Sequence, residues 1–117
     1  MNIEINKEYL YLDKEFINII KKEKPKRLFN MYDTGGELIY NSIPVFIDGR
    51  ADLYSSVGLL NRYLNVVDLD VDYEITIDEY KFDYYLVESG SKLEKYINKL
   101  EIEKIYSNDK YVLYKIK

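Results

Sequence analysis

Short apolar runs alternate with stretches of helical spacing along this chain, and that alternation constrains its fold more than any other feature. RLFNMY at residues 27–32, VFID at 45–48 and FDYYLVE at 82–88 read as strands. From Asp13, the apolar residues Phe16, Ile17 and Ile20 share one helical face. Lys21, Lys22 and Lys24 follow where cations suit the negative helix end, and Pro25 stops the helix. Thr34-Gly35-Gly36-Glu37 has the spacing of a capping box and opens a short helix over 37–42. Val57, Leu60, Leu64 and Val67, widened by Leu59 and Tyr63, predict a helix over 55–67, and 75–80 reads as a further one. Ser91-Lys92-Leu93-Glu94 repeats the capping-box spacing, and Leu93, Tyr96, Ile97 and Leu100 carry the helical period onward. Strands at 103–107 and 111–116 close the chain, with Asn108-Asp109 as the hairpin turn.

The expected architecture is a small three-layer, Rossmann-like α/β domain. Its mainly parallel sheet of about five strands carries helices on both faces and ends in an antiparallel hairpin. Without an internal repeat, linker or low-complexity stretch, the 117 residues read as one domain.

Composition narrows the chemistry. The chain has no cysteine, which excludes disulfides, a thiolate nucleophile and thiolate metal sites. It has no histidine either, so the usual general base and the Ser–His–Asp triad are excluded. A net charge of −4 argues against a phosphate-backbone binder, and no nucleic-acid partner is expected. No run approaches the roughly 18 apolar residues of a membrane span, and residues 1–7 lack an apolar signal core. The chain on its own is expected to be soluble.

The densest polar group joins Asn30, Asp33, Thr34, Gly35 and Gly36 to Asp48, Gly49, Arg50 and Asp52. If 27–32 and 45–48 are neighbouring parallel strands, both segments emerge at the carboxyl end of the sheet, where ligands bind in open α/β folds. Gly35 and Gly36 would let a ligand approach the backbone, and Arg50 could grip a phosphate or carboxylate. The structural reading is that Thr34 and Glu37 cap each other while Arg50 pairs with Asp33, Asp48 or Asp52. Neither a Walker lysine motif nor GxGxxG is present, so GG is no nucleotide fingerprint.

Asp68, Asp70, Asp72 and Glu79 fall on acidic positions of a calcium loop. Tyr73 stands where that loop needs glycine, so a solvated acidic segment is the expectation, and no cofactor is foreseen. Tyr9, Tyr11, Tyr84, Tyr85, Tyr106, Tyr111 and Tyr114 lie mainly in strand-like segments, where ordinary packing accounts for them before ring stacking on a ligand does. Lys21, Lys22, Lys24, Lys26 and Arg27 read as a helix end plus a solvated turn, able to face acidic lipid if the domain sits near a membrane.

The segment LFNMYDTGGELIYNSIPVFIDGRADLYSS, residues 28–56, resembles part of the soluble C-terminal region of polytopic membrane proteins of the GT-C glycosyltransferase type. These are related to dolichyl-phosphate-mannose–protein mannosyltransferases. The pattern is a strand ending in Asn, an acidic residue, a Gly-Gly-aromatic turn, a short helix, and a strand VFIDGR followed by Asp and Tyr. Asn30, Asp33, Gly35, Gly36, residues 45–50, Asp52 and Tyr54 match it, and Glu37 replaces the aromatic. DEYKFDYYLVE, 78–88, resembles the helix–strand step that follows.

The resemblance implies an excised domain of a longer membrane protein, lying outside the cytoplasm after the last span. In that family the catalytic acidic residue and the lipid-phosphate sugar site belong to the membrane portion. The chain itself is then expected to be non-catalytic and to serve acceptor or glycan recognition, or assembly. Its partners would be the membrane-embedded part of the parent chain and a glycan or protein acceptor. Two other classes stand beside this one: a free-standing α/β domain binding a nucleotide or sugar phosphate at the crevice from Gly35 to Arg50, and a protein-interaction module.

Overall fold

The computed structural model describes residues 12–47, 58–70 and 72–117. Helix α1 (Lys14–Glu23) starts where the Asp13 carboxylate accepts the Phe16 N–H at 2.7 Å. It ends at a left-handed Lys24, with Pro25 beyond it. Strand β1 (Leu28–Phe29) is two residues long. A 3₁₀ turn (Tyr32–Thr34) runs into α2 (Gly35–Tyr40), and α3 (Leu59–Asp68) and α4 (Tyr73–Tyr80) follow. The chain then forms β2 (Tyr84–Glu88), α5 (Lys92–Ile97), β3 (Ile102–Ser107) and β4 (Tyr111–Ile116).

The strands form a mixed sheet in the order β1-β2-β4-β3. Among the described residues only β1 and β2 are parallel, and β4 runs antiparallel to both of its neighbours. This corrects the expectation of about five mainly parallel strands. After β2, the chain crosses by way of α5 to the far edge, lays down β3, and returns through the hairpin to seat β4 at the centre. The closing hairpin therefore supplies two of the four strands among the described residues. A bulge between Lys104 and Tyr106 interrupts the edge strand β3, a common device for blunting an exposed edge.

The strand expected at 45–48 is corrected as well. Val45–Phe46–Ile47 joins no ladder, and Asp48 lies outside the described residues. Two N–H groups and one carbonyl of this segment are bonded by a side chain instead, that of Asn30.

Both faces of the sheet are covered. Phe29, Tyr85, Val87, Val112 and Tyr114 point to one side, against Tyr63 and Val66 of α3 and Leu93 and Ile97 of α5. Leu28, Tyr84, Leu86, Tyr111 and Leu113 point to the other, against Phe16, Ile17 and Ile20 of α1 and Leu38 of α2. The period of two along each strand splits the core into these two sets. Phe29 is fully buried, with the rings of Phe46, Tyr63, Phe82 and Tyr85 at centroid distances of 5.5, 5.9, 5.2 and 5.8 Å. No helix among the described residues is long and apolar enough to cross a membrane.

Candidate functional site

Asn30 follows β1 directly and is completely buried. Its carbonyl oxygen accepts the N–H groups of Phe46 and Ile47 at 2.8 and 3.1 Å. Its amide nitrogen donates to the carbonyls of Ile47 and Met31 at 2.8 and 3.0 Å. A primary amide has two donors and two acceptor sites, and all four are used. The side chain thus bonds residues 46–47 as a neighbouring strand would and holds that segment at the end of β1.

The other motif residues divide by exposure. Thr34 is buried, and its hydroxyl donates to the Met31 carbonyl at 2.8 Å. It does not cap α2, because the preceding 3₁₀ turn already holds its backbone at φ −91° and ψ −10°. Glu37 does not complete a capping box either. Its carboxylate accepts the Leu12 N–H at 3.1 Å, which ties α2 to the entry of α1. Gly35 is buried in ordinary helical backbone, whereas Gly36 is exposed with open space around it. Asp33 is exposed. Asp48, Gly49, Arg50, Asp52 and Tyr54 lie outside the described residues, so the partner half of the expected crevice has no description.

The acidic segment is dispersed. Asp68 ends α3, the Asp70 N–H bonds to the Asn65 carbonyl, and Asp72 precedes α4 in left-handed backbone. Glu79 is engaged by Arg62 at 2.9 Å, an exposed pair between α3 and α4. No group of three metal-ligating side chains forms among the described residues.

Two grooves open at the opposite end of the sheet, where β1 begins. The larger, about 470 Å³, lies between the C-terminal ends of α1 and α2, lined by Lys21, Lys24, Tyr40, Asn41, Ser42 and Pro44 among others. The second, about 340 Å³, shares Pro44 and is walled by Phe46, Tyr80 and Phe82, with Lys26 and Arg27 at its rim. Tyr80 and Phe82 stack at 5.7 Å, and Phe46 meets both edge-on at 4.9 and 5.2 Å. None of the residues Asn30, Asp33, Thr34, Gly35 and Gly36 lines either groove. The sequence singled out the lysines here but not Tyr40, Ser42 or the three rings. The available signal was the run KKEKPKR placed before a short helix with an apolar, unburied end.

The tyrosines of the sheet are packing residues with polar tips. Tyr84, Tyr85, Tyr111 and Tyr114 are buried, and Tyr106 meets Phe16 edge-on at 4.9 Å. Burial, reinforced by a 2.8 Å hydrogen bond to Glu23, pushes the Tyr84 phenol up to about 12. Burial and a 2.8 Å bond to Glu94 push Tyr114 up to about 12 as well. Burial also raises Tyr85 and Tyr63, and the Tyr63 oxygen accepts the Tyr32 N–H at 2.9 Å. A phenol moved in this direction holds its proton, so these groups act as donors and spacers.

Comparison with known proteins finds no matching family model, curated protein or solved structure.

Proposed function

We propose that the chain is a non-catalytic accessory domain of a membrane glycosyltransferase-like protein, held on the extracytoplasmic side for acceptor or glycan recognition or for assembly. On this reading its fold is a reduced Rossmann-like three-layer domain. It keeps one parallel strand pair and completes the sheet with a hairpin. Its partners are the membrane-embedded part of the parent chain and a glycan or protein acceptor.

The support is the resemblance over residues 28–56, together with the work its residues do. The carrying observation is Asn30, which commits its whole hydrogen-bonding capacity to the backbone at Met31, Phe46 and Ile47. A motif residue used in this way favours a scaffold that shapes a loop for a partner over a reaction centre.

Antibodies raised against the purified chain test the reading in the native cells. The expected band is membrane-associated and far heavier than 14.0 kDa, and a soluble band at the chain's own mass overturns the proposal. The purified chain is also expected to give no sugar transfer from a polyprenyl-phosphate donor above a buffer blank. Turnover there would reject the non-catalytic assignment.

A further inference from the structure

We infer that the end of the sheet at which β1 begins is a docking surface for an anionic lipid bilayer. The inference deepens the proposed function and rests on it only for the nearness of a membrane.

Residues 21–27, KKEKPKR, carry five cations and one carboxylate on a chain of net charge −4. Lys21, Lys22, Lys24, Lys26 and Arg27 are all exposed, and among the described residues none lies within ion-pair distance of a carboxylate. Lys21 and Lys22 complement the end of α1, but Lys24, Lys26 and Arg27 lie beyond it. The nearby acids are engaged by other groups, Asp83 at the surface beside Lys26 and Arg27. Glu23 takes the Tyr84 hydroxyl, and Asp83 takes the N–H groups of Lys26 and Arg27 at 2.9 Å each.

Apolar surface accompanies the charge. Tyr40 is 72% exposed and Ile39 41%, and Pro44 between the two grooves is exposed as well. Tyrosine beside lysine is the pairing that suits a lipid–water boundary, with the ring at headgroup level and the ammonium groups among the phosphates. The groove bounded by Lys21, Lys24, Asn41 and Ser42 offers about 470 Å³ and several donors, which is room for a phosphate headgroup. Tyr40 and Pro44 thus share one groove with Lys21 and Lys24, and Pro44 shares the other with Lys26 and Arg27.

Co-sedimentation of the chain with vesicles tests this. Binding is expected to phosphatidylcholine vesicles holding about 30 mol% phosphatidylserine, weakening as salt rises, and not to phosphatidylcholine alone. Each neutralised cation should lower the partition coefficient about fivefold, so the triple change Lys21→Gln, Lys24→Gln, Lys26→Gln should lower it roughly a hundredfold. Lys92→Gln, Lys95→Gln, Lys99→Gln removes the same charge elsewhere and should leave binding within about twofold. Urea melts establish that both variants fold. Equal binding to neutral vesicles, or equal loss in the two triples, overturns the inference. So does inorganic phosphate that displaces the chain from vesicles at millimolar level, which would assign the groove to a free anion. Vesicle binding with a soluble native band would sink only the parent-protein proposal, and the reverse result would sink only this surface.

Discussion

Replacing Asn30 by Leu keeps side-chain bulk but strips the partners from two N–H groups and one carbonyl of residues 46–47. Each buried group left unpaired costs about 1–3 kcal/mol, so the variant should lose about 3–5 kcal/mol in a urea melt. An unchanged midpoint would mean that water replaces the side chain and that the loop does not depend on it. Gly36 predicts the opposite sign. Its backbone is not left-handed, and a Cβ there meets nothing within 4 Å. Gly36→Ala should therefore stabilise α2 by about 0.5 kcal/mol. A loss of stability would show that the glycine serves more than the helix. Sequence marked both residues as site candidates, but an Asn or a Gly in a polar run carries no sign of whether its partner is a ligand or the backbone sixteen residues on.

Two identical spacings show what is legible at the scale of an element. At Ser91 the backbone is extended, so its hydroxyl accepts the Glu94 N–H at 3.2 Å and a helix starts as the pattern predicts. Glu94 returns to Gly90 at 2.7 Å rather than to the cap residue itself. At Thr34 the same spacing fails, because a 3₁₀ turn has already set the backbone and no extended cap residue is left. Ser91→Ala should cost about 1 kcal/mol, the usual worth of such a cap, read as a lower urea midpoint. A neutral result would place the start of α5 under the control of Leu93 and Ile97 packing alone. Helix α1 was readable because burial and period agree in it, with Phe16, Ile17 and Ile20 all buried. In α3 the helix is present, but Tyr63 and Val66 are buried while Leu64 of the expected face is exposed, and α4 buries Thr76 and leaves Ile75 exposed. The strand at 45–48 was not readable: an apolar run shows that a segment is covered, and a side chain can supply the bonds a neighbouring strand would. Strand order was hidden for a similar reason. The unbroken apolar run YVLY at 111–114 signals a strand covered on both faces, but not which strands flank it, and β3 proves to lie outside it.

Across the whole molecule, two phenol–carboxylate bonds clamp the sheet to its coverings. Tyr84 reaches from one face to Glu23 at the end of α1, and Tyr114 reaches from the other to Glu94 in α5, each at 2.8 Å. Both phenols are raised from 10.0 to about 12, chiefly by burial. A group whose folded value lies above its unfolded one gives stability that is complete below the unfolded value. That stability is lost as pH climbs through the folded value, because the unfolded chain then releases the proton first. The window is therefore pH 10 to about 12. Each phenol should contribute on the order of 1 kcal/mol that disappears across it, because both hydroxyls are only part-buried and solvent screens the effect. Tyr84→Phe with Tyr114→Phe should lower stability at neutral pH by about 1 kcal/mol per lost bond and flatten the fall above pH 10. A residual slope should remain from Tyr85, which burial also raises. Urea midpoints of both proteins across the alkaline range, read beside phenolate absorbance, decide the point. If the double variant falls as steeply as the parent chain, the clamps are not what alkali releases, and the repulsion of a chain already at −4 takes their place as the cause.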